Sequence, residues 1–231
     1  MSKVYSHTTA VLIFANSSTE ELKYKPFKKG QLLFDALTQH TLDTVKKTGL
    51  PYFHVSEKKQ KGNTFGERFT NAVASVYEKG FNAVITIGND SPQLKPQQLL
   101  LTAQHLEKNS FVLGPSHDGG FYLMGISKSQ FKASIFKKFA WQTASLCNQI
   151  MHWAKTSSYS SIKLRALLDV DTQEDVKTQL NTFKALPKNI LNVLKTILEF
   201  RKSSIIHITE IFHFYNITRF YNKGSPAFSI V

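Results

Sequence analysis

The chain reads as an α/β protein with a mainly parallel central sheet covered by helices on both faces. Three observations lead there. Apolar, β-branched runs such as "TTAVLIFA" at 8–15 and "NAVITIG" at 82–88 are strand-length and end in turn residues. Between such runs lie amphipathic stretches with helical spacing. The two kinds of segment alternate, and alternation favours parallel strands joined by helical crossovers.

Taken in order, residues 8–15 are a buried strand, followed by a polar, basic loop, "SSTEELKYKPFKKG". Residues 31–48 carry Leu33, Phe34, Leu37, Leu42 and Val45 at near-helical intervals, and Gly49 supplies the stop. "LPYFHVS" at 50–56 is a second strand. Thr64 with Glu67 forms a capping-box pattern, opening a helix whose stripe is Phe69, Val73 and Val76. The third strand is 82–88, and 96–107 is helical. "SFVLGP" and "GFYLMGI" are two strands flanking "SHDGG", a hairpin signal. Residues 143–156 read as helix, 161–168 are ambiguous, and "DVDTQEDV" opens a helix near 172. Ile190, Leu194, Ile197 and Leu198 form an amphipathic stripe over 188–201. These elements divide the chain into a main domain, 1–185, and a basic, helical or irregular C-terminal extension, 186–231.

Length and composition narrow the function classes. The chain has 231 residues, and its 42% apolar content supports a core. Lysine and arginine exceed acids by 29 to 16, a net charge of +13 that favours an anionic partner. The surplus is dispersed, and no zinc-finger, RNA-recognition or homeodomain signature accompanies it, so nucleic acid is not the expected partner. Cys147 is the sole cysteine, which excludes a disulfide framework and a multi-cysteine metal site. No run of eighteen apolar residues occurs, so no transmembrane segment is expected. With no signal-type start, the cytoplasm is the expected compartment.

Three acidic loops are candidates for chemistry. In "GNDSP", Asp90 stands at the tip of the third strand, and ligands of parallel sheets sit outside the carboxyl ends of strands. It either holds a hard cation such as Mg²⁺ or Mn²⁺ beside phosphate oxygens or bonds its own turn. In "HDGG", Asp118 either contacts a ligand hydroxyl beside Gly119 and Gly120 or closes a hairpin. In "DVDTQED", Asp171 either joins Asp90 as a second metal ligand or, like Thr172, caps a helix. Cys147 reads as core packing. Thr143 reads as a helix cap and Trp141 as packing. There is no G-x-x-x-x-G-K-[ST] or G-x-G-x-x-G pattern.

In order, "GNTFGERF", "GNDSPQL", "LGPSHDGGFYLMGI", "WQT" and "LLDVDTQEDV" resemble an uncharacterised bacterial family of the glycosyltransferase-A superfamily. These are nucleotide-diphospho-sugar transferases, often labelled radical-SAM/selenodomain-associated transferases. The resemblance spans about residues 8 to 180. It implies a Rossmann-like three-layer sandwich of glycosyltransferase-A type, with a nucleotide bound over the first strands. It implies a divalent cation, Mg or Mn, on Asp90 and Asp171, and catalytic roles for Asp90 and Asp118. Substrate contacts are implied for Asn16, Lys25, Arg68, Asn89, Gly119, Gly120, Trp141 and Thr143. One segment departs from the family: a Lys-x-Pro-x-x-Gly-x-x-Lys-Thr-Arg-Leu stretch is usual after the first strand. This chain has "FANSSTEELKYKPFKKG" instead, with Asn16 in place of Lys and no early glycine cradle.

The expectation is therefore a metal-dependent transferase using a nucleotide-diphospho-sugar and an unknown acceptor. The alternatives are nucleotidyl transfer from a nucleoside triphosphate, and a non-catalytic nucleotide- or partner-binding protein on the same fold.

Overall fold

The computed structural model describes residues 8–25, 29–182 and 186–198. The first strand, β1 (Thr9–Phe14), is almost wholly buried, as its unbroken apolar run requires. A short helix, α1 (Ser18–Glu21), follows where the sequence reads as plain loop. Ser17 starts it by accepting the Glu20 N–H on its hydroxyl, a local cap hidden in a lysine-rich stretch.

Next come α2 (Gly30–Lys46), β2 (Tyr52–Val55), a 3₁₀ turn at Glu57–Lys59 and α3 (Phe65–Glu78). The capping box forms as expected. The Thr64 hydroxyl accepts from the Glu67 N–H at 3.1 Å, and the Glu67 carboxylate accepts from the Thr64 N–H at 3.2 Å. Then follow β3 (Ala83–Ile87), α4 (Pro96–Glu107), β4 (Phe111–Pro115) and β5 (Phe121–Ser127). The chain continues through α5 (Ala133–Phe136), α6 (Leu146–Thr156), β6 (Ser161–Lys163) and α7 (Gln173–Thr182). The ambiguous stretch at 161–168 thus supplies an edge strand. The helix expected from 143 begins only at Leu146, because Thr143 donates its hydroxyl back to the Ala140 carbonyl.

The six strands form one sheet in the order β2-β1-β3-β5-β4-β6. Strand β1 is parallel to β2 and β3, and β4 is parallel to β6. Strand β5 runs antiparallel to both neighbours. The 116–120 loop is too short for a crossover, so β4 and β5 close as a hairpin. The carboxyl ends of β1, β2, β3, β4 and β6 therefore share one rim with the start of β5.

Alternating residues feed two cores. Ala10 and Leu12 face Phe69, Val73 and Val76 of α3, with α5 and α6 beside them. Val11 and Ile13 face the other way, toward Val45 of α2 and Leu99, Ala103 and Leu106 of α4. This is the helix–sheet–helix sandwich expected. A third cluster joins Leu33, Phe34 and Leu37 of α2 to Val170, Val176, Leu186, Ile190, Leu194 and Ile197. The stripe at 190–197 is thus seated on α2, and the rest of the expected extension, 199–231, lies outside the described residues.

Candidate functional site

A cleft of about 780 Å³ opens at this rim. Its acidic side is built around the loop after β3. Asn89 donates its amide to Thr38 Oγ1 (2.8 Å), and His40 Nε2 is hydrogen-bonded to the Pro92 carbonyl (3.0 Å). Both partners lie on α2. From the opposite flank, Val170 N–H donates to the Asp90 carbonyl (2.9 Å), and Ser91 donates its hydroxyl to Asp169. The loop is clamped on two sides, and the Asp90 carboxylate is left at the cleft.

Asp90 does not spend its side chain on its own turn. Its Oδ2 accepts from Lys25 Nζ at 3.1 Å. The same ammonium lies 2.9 Å from Glu21 Oε1 and 2.5 Å from Asp171 Oδ1. Burial works against the Lys25 charge, but Asp90, Glu21 and Asp171 outweigh it, and its pKa is raised. Asp171 is available for this contact because it is not the cap of α7. Thr172 takes that role, its hydroxyl accepting from Asp175 N–H while Asp175 Oδ2 accepts from the Asp171 and Thr172 N–H groups. Asp90 and Asp171, far apart in sequence, thus face one positive charge.

Asp118 closes its hairpin and also lines the cleft. Its Oδ1 accepts from the Ser116 hydroxyl (2.6 Å) and the Gly120 N–H (2.9 Å). Gly119 adopts φ +95°, and a Cβ there would lie 2.1 Å from the Ala144 carbonyl oxygen. Its own carbonyl accepts from Cys147 N–H, so the hairpin tip is docked on the start of α6.

The other side of the cleft is aromatic. Trp141 packs at 4.7 Å from Phe69 and 5.4 Å from Phe65, centroid to centroid, with Phe121 and Phe14 completing the wall. Gly66 makes this possible, since a Cβ there would lie 2.5 Å from Trp141 Cδ1. The indole N–H donates to the Phe136 carbonyl (2.7 Å). Arg68 lies over Phe65, 5.9 Å from its centroid, and donates Nε–H to Gln60 Oε1.

Of the residues singled out in sequence, Asn16, Lys25, Arg68, Asn89, Asp90, Asp118, Gly120 and Trp141 line the cleft. Asp171 joins through Lys25. Gly119 and Thr143 do not line it: Gly119 supports the hairpin tip, and Thr143 is exposed and bonds locally.

Four carboxylates of the cleft lining, Glu20, Glu21, Glu57 and Asp169, were not singled out. Glu21 is held by Asn16, whose amide donates to its Oε2 (3.0 Å). Asp169 lines the cleft; burial, then the charge of Asp90, raise its pKa to about 8, despite hydrogen bonds with Ser91 and Ser116. The second aspartate of "DVD" drew attention in the sequence and meets Lys25, and the first lines the cleft beside it.

The Asp169 shift has a sign that can be checked. The folded chain keeps this carboxyl protonated up to about pH 8, whereas an unfolded Asp ionises near pH 4, at roughly 3.9. The folded state binds the extra proton across that window. Its contribution is complete below the unfolded pKa and is lost as pH rises through the folded one. Asp169→Asn should therefore flatten the loss of thermal stability between pH 5 and 8, relative to the parent, in melts followed by circular dichroism. An unchanged pH profile would refute the shift.

A family profile described as "Uncharacterized protein conserved in bacteria (DUF2064)" matches residues 25–143. The chain belongs to this family. That match takes in Lys25, Asp90, Asp118 and the aromatic wall from Phe65 to Trp141. Among solved structures, this DUF2064 chain is similar to a protein from Desulfovibrio desulfuricans G20, provisionally described as a nucleotide-diphospho-sugar transferase. The two are 18% identical with a TM-score of 0.69, over 87% of this chain and 97% of that one. Weaker likenesses include 4-diphosphocytidyl-2C-methyl-D-erythritol synthase from Anaerococcus prevotii DSM 20548, at 12% identity over 75% and 97% of the chains with a TM-score of 0.49. Another is the manganese complex of Rv0371c from Mycobacterium tuberculosis H37Rv, at 14% over 75% and 98% with a TM-score of 0.45. At 18% identity the Desulfovibrio protein shares a fold with the DUF2064 chain. No curated protein matches it in sequence. Among the described residues no helix is long and apolar enough to cross a membrane.

Proposed function

We propose that the chain is a transferase that uses a nucleotide-activated donor, a nucleotide-diphospho-sugar, with a divalent cation at its acidic rim. One observation carries this reading: Asp90, at the tip of a buried parallel strand, shares a cleft with Asp118 and Asp169 and a cation with Asp171. Such convergence at the carboxyl ends of strands is what a ligand site on this class of sheet requires.

Charge says what the ligand must bring. The cleft lining holds six acids (Glu20, Glu21, Glu57, Asp90, Asp118, Asp169), of which Asp169 stays protonated, and two bases, Lys25 and Arg68. A diphosphate entering alone would meet net negative charge, so it needs a cation. The residues fit one. Lys25 Nζ is a stand-in, already placed against oxygens of Asp90 and Asp171 at cation-binding distances. Among the described residues no three acidic, His or Cys side chains form a ready metal cluster, consistent with an ammonium, larger than a metal ion, holding these oxygens apart. Asp90 and Asp171 would hold Mg²⁺ or Mn²⁺, whose chemistry is to neutralise the charge that develops on a diphosphate leaving group.

The chain's own residues do the rest. Asp118 is fixed through Oδ1 by Ser116 and Gly120, so Oδ2 can take the hydrogen bond, and then the proton, of an acceptor hydroxyl. The wall of Phe65, Phe121 and Trp141 packs the acceptor's apolar face and excludes water. Arg68 sits where it can pair with an anionic group. The cytoplasmic setting expected from the sequence suits this chemistry.

The test is product analysis. The full chain is incubated with Mn²⁺ or Mg²⁺, a panel of nucleotide-sugars and mixed acceptors, and nucleoside diphosphate release is followed. Release from at least one donor is expected. Pyrophosphate release from a nucleoside triphosphate would mean nucleotidyl transfer instead, and neither release nor nucleotide binding would leave the non-catalytic alternative.

A further inference from the structure

We infer that Lys25 is an internal counter-ion that competes with a divalent cation for Glu21, Asp90 and Asp171, so that a metal occupies the rim only as Lys25 leaves it. This rests on the reading of Asp90 and Asp171 as the cation site and adds to it a competitor and a third carboxylate.

The geometry is specific. An ammonium has three N–H groups. In this chain three carboxylates crowd it: it donates a hydrogen bond to Asp90 Oδ2 at 3.1 Å and lies 2.9 Å from Glu21 Oε1 and 2.5 Å from Asp171 Oδ1. The three carboxylates come from three separate segments: α1, the tip of β3 and the approach to α7. Glu21 is aimed by Asn16, which binds its other oxygen. Lys25 and Glu21 are largely withdrawn from water, their side chains being 18% and 13% exposed. An ammonium held among three carboxylates spends its charge on the protein's own acids and not on a phosphate. As found, Lys25 therefore neutralises the protein's own carboxylates, and it can meet a donor's phosphates only after release.

Lysine and a metal cannot share these oxygens. Metal–oxygen bonds of about 2.1 Å need the carboxylates drawn closer than an ammonium allows. The better competitor is the ion with more charge and further ligands to recruit, namely a divalent cation arriving with phosphate oxygens. Lys25 lies in the turn that follows α1, so its release would leave a free positive charge beside the incoming phosphates. Metal alone should then bind weakly, and metal and nucleotide should each promote the other's binding.

The test uses Mn²⁺ alone, followed by electron paramagnetic resonance of the free ion. Lys25→Met keeps the aliphatic bulk and removes the competitor, and should bind Mn²⁺ at least about tenfold more tightly than the parent. Lys25→Arg, which restores the charge, should return the affinity to the parent's level. Equal Mn²⁺ affinity in the parent and Lys25→Met would overturn the inference. A second measurement needs no variant. Lys25 of the intact chain, shielded from an amine-acylating reagent, should become reactive when Mn²⁺ saturates the site. Mn²⁺ bound with Lys25 still shielded would overturn the inference as surely. Neither readout involves a donor. A failure here leaves the transferase reading standing, and a chain that exchanges Lys25 for Mn²⁺ but turns over no donor fails that reading alone.

Discussion

Asp90→Asn is expected to cut donor turnover by about 100-fold or more while leaving the fold intact. Removing one preorganised electrostatic partner of a developing charge costs about 10²–10³ in rate, and in the proposed reading Asp90 is one of the two carboxylates that hold the cation. Its side chain accepts a hydrogen bond from Lys25, whereas its place in the fold is fixed through the backbone, where its carbonyl accepts from Val170 N–H. The clamp on the loop uses Asn89, Ser91 and Pro92, which the substitution leaves alone. Losing the charge also relieves Asp169, whose carboxyl Asp90 pushes toward the protonated form. The pair of readouts is steady-state turnover and a thermal melt. A large loss of melting temperature with proportionate loss of activity would mean that Asp90 is structural.

Gly119→Val is expected to do the reverse: it should damage the fold first and the site as a consequence. Two costs coincide at this position. Its φ of +95° is one that a β-branched residue rarely adopts, at about 1–3 kcal/mol. Its Cβ would also lie 2.1 Å from a backbone oxygen, that of Ala144, with no flexible side chain to give way. The hairpin tip must then lift from α6, breaking the Cys147 N–H to Gly119 carbonyl bond and moving Asp118 with it. A loss of about 3 kcal/mol or more is expected, which for a domain of this size lowers the melting midpoint by roughly 10 °C. Calorimetry checks it. A midpoint within 2 °C or so of the parent would show that the tip is not docked as described.

How legible this was from the sequence depended on how local the physics is. Strands such as Ala83–Ile87 and the capping box at Thr64 are written in a few adjacent residues, and they formed where expected. Helix α1 was hidden because its cap, Ser17, sits in a lysine-rich segment with no apolar stripe. The start of α6 slipped from 143 to Leu146 because a Thr hydroxyl can bond backward as readily as it can cap.

The candidate site followed the same division. A carboxylate after a buried strand is a local signal, so Asp90 stood out. The contact of Lys25 with Asp90 spans 65 residues, and Glu21 gains its meaning only from that contact. No local pattern separates Asp169 from Asp171. Asp169 is drawn inward by Ser91 reaching across from another loop, while Thr172, by taking the cap, frees Asp171 for Lys25. The aromatic wall was the least legible part. Phe65, Phe69 and Phe121 look like ordinary core residues until Gly66 lets Trp141 lie against them.

Whether the cleft takes a nucleotide with a metal is decided by calorimetric titration of the full chain with nucleoside diphosphates and their sugars, with Mn²⁺ present and then removed by chelation. Saturable binding of at least one of them is expected, present with Mn²⁺, lost on chelation and lost in Asp90→Asn. Equal affinity with and without the metal, undiminished binding to Asp90→Asn, or no binding of any nucleotide would contradict it.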